Sequence, residues 1–465
     1  MVRISLQSSR YAWLLVSCVI FTMKSTQAWC EYTEPSVELG TELPDAGTNQ
    51  IPAQLTLNES LKLAQVRNID LQRASTSVEK QKARLNEAWG ELFPEASLNA
   101  GTSWLDKGRR FSFGDGQQQP TSNTWNGSVQ IDQPLYRGGK GYEGKEVEDS
   151  LLEAIQWQLR GAANQVAYQV YQSYFKVLLD RELLKVRQEA VTLLQDELGK
   201  SQRKFSVGTI SNFDVIRAEV ALANAKTPLI QAQNSLSLSL EDLKRILNID
   251  IERELLSPRV CDSMTRVWDS YKLEDALKVA QVTNPELKRL TNVLIASEHG
   301  IDYQRADFLP SLSLNVNYGI ERTQFINQNF EGWQAGLNLK WKIFDSLKTI
   351  NRVEQAQADF KDARLALDKA KLDTDIEVRR SLSSVSESRE LVDVSSKVIK
   401  QAEESFRLSQ NRFDVGSATQ LDVLTERLAL TEARSNNAQA LYSQNIAEAG
   451  LRRVMGTLGN DFLKE

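Results

Sequence analysis

Hydrophobic positions recur along this chain with two different periods, and the switches between them outline its architecture. Between residues 57 and 92, Leu57, Leu61, Ala64 and Leu71 fall at four-, three- and seven-residue steps, a helical pattern that stops at Pro94. Ala96, Leu98 and Ala100 then alternate with polar residues as far as Trp104. The alternation resumes at Trp125, Gly127, Val129, Ile131 and Gln133 before Pro134, which predicts two strands of about nine residues, the length of a tilted membrane-spanning strand. From Gly139 to Phe205 there is no proline, and Val166, Val170, Tyr174 and Leu178 form a seam at four-residue steps. At 1.5 Å per residue such a helix is about 100 Å long. A further helix, from about Ser211 to Asn248, adds to the first one to give about 110 Å, so the two shorter helices are expected to stack end to end beside the long one. These helices are rich in Gln, Ser, Asn and Ala, which suits a thin wall with one face packed on neighbours and the other in water.

The pattern then repeats. LNESLKLAQVRNIDL at 57–71 matches LEDALKVAQVTNPEL at 273–287 with an offset of 216 and 8 identities in 15 positions. The offset holds through Phe93-Pro94 against Leu309-Pro310 and Ser97-Leu98-Asn99 against Ser313-Leu314-Asn315. It then drops to 208, pairing Trp125 with Trp333 and Phe205-Ser206-Val207-Gly208 with Phe413-Asp414-Val415-Gly416. Units this long are duplicated structural halves, not solenoid repeats. The expected organisation is a signal peptide at 1–28, an N-terminal extension at 29–54, a first repeat at 55–250, a linker at 251–271, a second repeat at 272–458 and a tail at 459–465.

The signal peptide is read from Arg3 and Arg10, the apolar run Tyr11 to Met23 and Thr26-Gln27-Ala28, so the mature protein crosses a membrane. Leu15-Val16-Ser17-Cys18 also has the residue types of a lipidation signal, and Cys30 is a weaker candidate because Trp29 precedes it. Without the leader the chain has 53 basic and 61 acidic residues, a net −8, which argues against nucleic acid as a partner. Cys30 and Cys261 make no disulfide framework. After Met23 no stretch reaches the roughly 18 apolar residues of a membrane helix, so a bilayer span has to consist of strands closed into a barrel. Four strands per chain are too few to close. Two chains give about eight strands and a filled interior; three give about twelve and leave room for a water-filled pore.

The Leu309-Pro310-Ser311-Leu312-Ser313-Leu314 motif, the Gln133 to Gly139 segment QPLYRGG and the turns Phe205 to Val215 and Phe413 to Val423 resemble the TolC family of outer-membrane channel proteins, over essentially the whole mature chain. The resemblance implies an α+β membrane protein: a homotrimer with a transmembrane twelve-stranded β-barrel, four strands per chain, continued by a long α-helical coiled-coil tunnel in the periplasm. It implies the exit duct of a tripartite efflux pump or type I secretion system, with outer-membrane lipid around it and a periplasmic adaptor and an inner-membrane transporter as partners. It implies no enzyme activity and no cofactor. In that family the periplasmic mouth closes near the Val-Gly turns. Carried over, Asp422 is the first aperture acid and Thr425 stands where some members have a second, with Glu426, Asp214 and Phe413 nearby. Phe413 and Ala418 replace the tyrosine and arginine of a closed-state latch found in some members, and Glu426, Arg427, Arg203, Lys204 and Arg412, close by in sequence, are the candidates for an alternative. The turns themselves, Val207, Gly208, Val415 and Gly416, are where an adaptor is expected to touch. Trp104, Trp125, Tyr318, Trp333 and Trp341 are read as interfacial aromatics at the strand ends.

Two signals have simpler readings. Gly139 to Lys145 fits G-x-x-x-x-G-K, but Glu146 replaces the Ser or Thr that holds magnesium, and the second repeat has Leu347, Arg352 and Val353 instead; a strand-to-helix bend accounts for the glycines. The lone His299 leaves a histidine-based triad without support. The alternative to a conduit is a periplasmic coiled-coil adaptor or scaffold without its own pore, which the strand pairs of lipid length disfavour.

Overall fold

A computed structural model describes residues 54–104, 124–249, 259–260, 264, 270–323 and 329–461, all within one compact unit. The leader, Cys18, Cys30, Cys261 and the Leu105 to Asn123 connection lie outside the described residues. The first half runs β1 (Gln54–Leu55), α1 (Leu57–Arg67), α2 (Ile69–Gly90), β2 (Glu95–Ser103), β3 (Thr124–Arg137), α3 (Lys140–Ser206) and α4 (Asn212–Ile246). The second runs β4 (Arg259–Val260), α5 (Leu273–Thr283), α6 (Pro285–Arg305), β5 (Ser311–Thr323), β6 (Asn329–Lys340), α7 (Lys348–Asp414) and α8 (Gln420–Met455).

The helix expected over 57–92 is in fact two. Asn68 breaks it, with extended backbone at φ −63° and ψ 126°. Its Oδ1 accepts from the backbone N–H groups of Asp70 and Leu71 and so caps α2, while its Nδ2 donates to Ile246 O at 2.9 Å, at the end of α4. Asn248 Nδ2 returns a bond to Arg67 O at 3.2 Å. One asparagine thus satisfies orphan groups at two helix ends at once. Asn284 does the same in the second half: it caps α6 and donates to Val454 O at 2.9 Å. End-to-end docking is therefore present, but it joins α4 to the start of α2. Helix α1 instead enters the core beside the parallel β1–β4 pair.

That core surrounds the middle of α3. Tyr171, Tyr174 and Phe175 pack with Leu55, Leu61, Leu243 and Leu247, and Tyr174 Oη donates to Leu55 O at 3.2 Å. A smaller cluster of Ala276, Ala280, Val378, Val385 and Met455 serves the second half. Elsewhere the helices form a single layer. Nearer the sheet, α3 lies between α2 and α6, with α7 beyond α6; nearer the hairpin turns, α3 lies between α4 and α8, with α7 beyond α8. Pro228 sits inside α4, and α8 has no proline.

The sheet is antiparallel in the order β2-β3-β5-β6. Strands β3, β5 and β6 have 14, 13 and 12 residues, longer than the expected nine. Pro134 does not end β3, because a register shift between Pro134 and Tyr136 absorbs its missing donor. After β3 the chain turns into α3 through two left-handed residues, Gly138 and Gly139. At the same place in the second half Ser346 and Leu347 hold φ of 60° and 64°. No described helix is long and apolar enough to cross a membrane.

Gly456 ends α8 at φ +77°, where an added Cβ would press on Thr283 O and on Pro285 Cδ. Gly208 has a similar φ of +75° but open space around it. Left-handed backbone alone costs a residue with a Cβ about 1–2 kcal/mol. Gly456→Ala should therefore lower the thermal midpoint followed by helix circular dichroism clearly more than Gly208→Ala; equal shifts would show that the packed junction tolerates the methyl group.

Candidate functional site

Two regions carry chemistry: the sheet and the hairpin turns at the far end of the helices. In the sheet, pairing brings one set of side chains to one face. Ala96, Leu98 and Ala100 line up through the ladder with Ile131, Val129 and Gly127, then with Val316, Tyr318 and Ile320, and Tyr318 and Leu314 oppose Trp333 and Leu337. The opposite face carries Ser97, Asn99, Asn126, Ser128, Gln130, Asp132, Asn315, Asn317, Gln334 and Asn338. There Asp132 accepts from Gln130 Nε2 at 2.6 Å and from Asn315 Nδ2. Leu98, Trp125, Val129, Tyr318, Ile320, Trp333, Leu337 and Leu339 are all exposed, and no element of the described chain covers them. A sheet that is apolar and uncovered on one side and polar on the other has the pattern of a barrel wall between lipid and water.

The expected aromatics divide by position. Trp104 and Trp125 stand at the end away from the helices. Trp341 follows β6 at the helical end, its Nε1 donating to Phe308 O at 3.0 Å. Tyr318 and Trp333 face each other inside β5 and β6, not at the strand ends where the alternation had placed them.

At the other extreme, α3 and α4 meet in a tight reversal. Gly208 adopts φ +75°, Thr209 N donates to Lys204 O at 2.9 Å, and Ser211 starts α4 with a reciprocal cap to Asp214. The α7–α8 turn repeats this with Gly416 at φ +76°, Ser417 N on Arg412 O at 2.8 Å, and Thr419 capped by Asp422. Positive φ at the residue past the helix explains both glycines, and Val207 and Val415 stand fully out from the turns. The Asp422 Oδ2 accepts from Thr419 N and Oγ1, each at 2.7 Å. Those bonds, the backbone one foremost, hold its carboxyl below the usual range. Asp214 caps α4 in the same way, its Oδ2 accepting from Ser211 N and Oγ. Both acids are thus helix-start residues, Asp422 exposed and Asp214 half-buried. Thr425 Oγ1 donates back to Leu421 O, and Glu426 accepts from Ser405 Oγ at 2.6 Å, which ties α8 to α7.

Phe413, which lacks the hydroxyl of a tyrosine latch, takes a cation instead: Lys204 Nζ lies 4.6 Å from its ring centroid. That contact starts a polar seam between the two hairpins which the hydrophobic pattern did not reveal. Gln420 Nε2 donates to buried Ser201 Oγ at 2.9 Å. One heptad on, buried Arg427 lies near Glu197 and Asp196 and over the Phe406 ring; burial lowers its pKa and the two acids oppose that. Another heptad on, Arg434 bridges Glu189 and Glu403, both at 3.1 Å. The sequence signal was there, in polar residues at 420, 427 and 434 where a coiled coil places apolar ones.

The glycines of the phosphate-loop pattern lie in a strand-to-helix bend and the first turns of α3, where Gly141 faces Leu92 and Gly144 faces Tyr303. Lys145 is engaged with Glu146 and Asp149. His299 Nδ1 sits 2.9 Å from Glu143 Oε2 and links α6 to α3.

The sequence profile of the outer membrane efflux protein family matches residues 60–248 and 276–457, which are the two structural halves. The chain belongs to this family. The outer membrane protein TolC of Escherichia coli is 23% identical over 441 residues, covering 90% of this chain and 85% of TolC. The alkaline protease secretion protein AprF of Pseudomonas aeruginosa is 23% identical over 367 residues, 78% and 76% of the two chains. The outer membrane channel CmeC of Campylobacter jejuni superposes with a TM-score of 0.75 at 19% identity, over 86% of this chain and 85% of CmeC. Membership places the sheet in the outer membrane and the helices in the periplasm, and makes the protein an efflux or secretion duct; the family is one of conduits, not of enzymes.

Of the two arginines in the seam, Arg427 is the more buried. Removing it leaves the buried Glu197 carboxylate without its neighbouring cation and empties the place over the Phe406 ring, whereas partly exposed pairs such as those of Arg434 are worth about 0–1 kcal/mol. Arg427→Ala should therefore raise amide hydrogen exchange along the start of α8 strongly, and Arg434→Ala weakly. The reverse order would put the main bond of the seam at Arg434.

Proposed function

We propose that three copies of this efflux-family protein close their sheets into one twelve-stranded barrel and their helices into one tunnel, which serves as the outer-membrane exit duct of a tripartite pump or type I secretion system. The observation that supports it is the four-stranded sheet, apolar on one face and with the two edge strands β2 and β6 unpaired within the described chain. Strand edges have no partners in lipid, so such a sheet is stable there only when closed. Two copies would make eight strands with no aqueous bore; three make twelve with the amide-rich face around water.

In this reading the Val207-Gly208 and Val415-Gly416 turns meet a periplasmic adaptor that couples the duct to an inner-membrane transporter, which supplies the energy. Trp104, Trp125 and Trp341 sit at the lipid boundaries. Asp422 keeps one carboxylate oxygen beyond its cap, and threefold symmetry brings three copies into one ring, a field that favours cations. A scaffold without a pore would have no use for an uncovered apolar sheet face.

Mass determination in detergent should give three chains per particle; a stable monomer in lipid would remove the basis of the proposal. In planar bilayers the protein should conduct with a preference for cations. Because the Asp422 carboxyl is held below the usual range, its contribution should persist as the pH is lowered through 5 and be lost only as the pH falls past its depressed pKa. Asp422→Ala should weaken the preference, and anion selectivity of the unaltered protein would contradict the role given to this residue.

The gate is assigned to the second hairpin. Asp422→Cys should crosslink neighbouring protomers in the resting channel and block export, with reduction restoring it. Crosslinking by Asp214→Cys but not by Asp422→Cys would move the gate to the first hairpin.

A further inference from the structure

Where α8 ends beside the start of α6, the packed helices leave a groove of about 690 Å³ between α3, α6, α7 and α8, a volume in the range of small-molecule sites. The Asn284 junction borders it: Asn284, which caps α6, and Val454, whose carbonyl it binds, both line the groove. Small residues keep the space open. Gly161 and Ala162 face it from α3, and a Cβ at Gly161 would come within 3.7 Å of Pro285. The apolar surface comes from Trp157, Pro285 and Val454. Arg160, which does not line the groove, lies 4.3 Å from the Trp157 ring centroid and holds the indole in place.

The charged groups of the groove are mostly acidic. Glu286, Asp373 and Glu377 line it with Arg453, three carboxylates and one guanidinium, for a net charge of −2. Arg453 is engaged within the chain: its Nη1 donates to Gln165 Oε1 at 3.3 Å, and the guanidinium lies 5.0 Å from the Tyr168 ring centroid. Its Nη2 stands 4.0 Å from Glu377 Oε1, too far for a hydrogen bond, and its Nε is buried without a hydrogen-bond partner. The partners of the other two acids, Lys369 for Asp373 at 2.6 Å and Arg289 for Glu286 at 2.7 Å, come from the same helices and stand outside the groove. Such exposed pairs are worth about 0–1 kcal/mol, so a cation bound in the groove displaces them at little cost. Among the described residues no group of acids, histidines or cysteines is placed to hold a metal ion. Carboxylates spread around an apolar surface suit a larger cation instead.

We propose that the groove binds a small organic cation, with its ammonium group among Glu286, Asp373 and Glu377 and its apolar body along Trp157, Pro285 and Val454. The site lies within one chain and does not rest on the closed assembly proposed above. Bound there, the ligand touches both α3 and α7, which α6 and α8 otherwise hold apart, and so clamps the junction of the two halves. A ligand that binds only the folded chain also raises its stability by mass action.

The test uses the full-length protein in phosphatidylcholine nanodiscs, with empty nanodiscs as background. Three probes share one body, whose ether oxygen offers an acceptor to Arg453 Nε: naphthyloxyethylamine, naphthyloxyethanol and naphthyloxyacetate. Equilibrium dialysis should show one amine bound per chain, the alcohol weaker by about tenfold or more, and the carboxylate weaker still. Raising the salt concentration should weaken the amine and not the alcohol. Glu377→Gln and Asp373→Asn should each weaken the amine several-fold and leave the alcohol unchanged, while the thermal midpoint without ligand stays that of the unaltered chain. Trp157→Leu should weaken amine and alcohol alike. Glu390→Gln, on the exposed surface of α7 outside the groove, should change neither. Equal binding of amine and alcohol would overturn the choice of a cation, and amine binding that survives both carboxylate changes would overturn the site. Absence of amine binding above the empty nanodiscs would overturn both. None of these results bears on the number of chains per particle, so failure here is distinct from failure of the duct.

Discussion

Backbone hydrogen bonding in a solvent that supplies no partners is the constraint on which this architecture depends. A four-stranded sheet with an apolar face has two rows of unpaired edge groups, which water tolerates and hydrocarbon does not. The apolar set Leu98, Val129, Tyr318 and Leu337 and the polar set Asn99, Gln130, Asn317 and Asn338 alternate through the ladders, so one face of the sheet suits lipid and the other water. The helices inherit this geometry. Each strand pair feeds one long helix, and in the proposed trimer the single layer of helices continues the ring.

The junction asparagines solve a second problem. A wall one helix thick has little core, and stability concentrates where Tyr171, Tyr174 and Phe175 gather α1, α4 and the β1–β4 pair around α3. At that level Asn68 and Asn284 each cap one helix and bind the end of another. An alanine at either place would leave donors and acceptors of two helices without partners.

Much of this was legible from the sequence because duplication doubles every signal. The 216 and 208 offsets, the strand alternation and the Val-Gly turns located the elements to within a few residues. The break at Asn68 was missed because periodicity continues across it; only the asparagine's double bonding reveals two helices. Pro134 looked like a strand end because a bulge that accommodates it has no local signature. Tyr318 and Trp333 were placed at strand ends because alternation reports which face a residue occupies and not its height along the ladder. At the hairpin turns, Asp422 could be read as a charge near an aperture, but its bonds to Thr419 depend on geometry. Arg427 and Lys204 were legible as charges near the turns, but their partners and the rest of the seam, Gln420 and Arg434, escaped because polar residues at heptad positions look like a solvated face until the facing helix is known.

The proline in α4 gives the two hairpins different mechanics. Pro228 has no N–H to return to the carbonyl four residues earlier, and its ring crowds that turn, so α4 is a jointed rod about 24 Å from its start at Asn212. Its counterpart α8 is unjointed. A load carried up the tunnel from the turns would bend the first hairpin at that joint, while the second transmitted it as a stiff lever to the Asn284 junction. The wall of a symmetric assembly would then alternate compliant and rigid staves, so that even with six hairpins in the ring its response to thrust would be threefold.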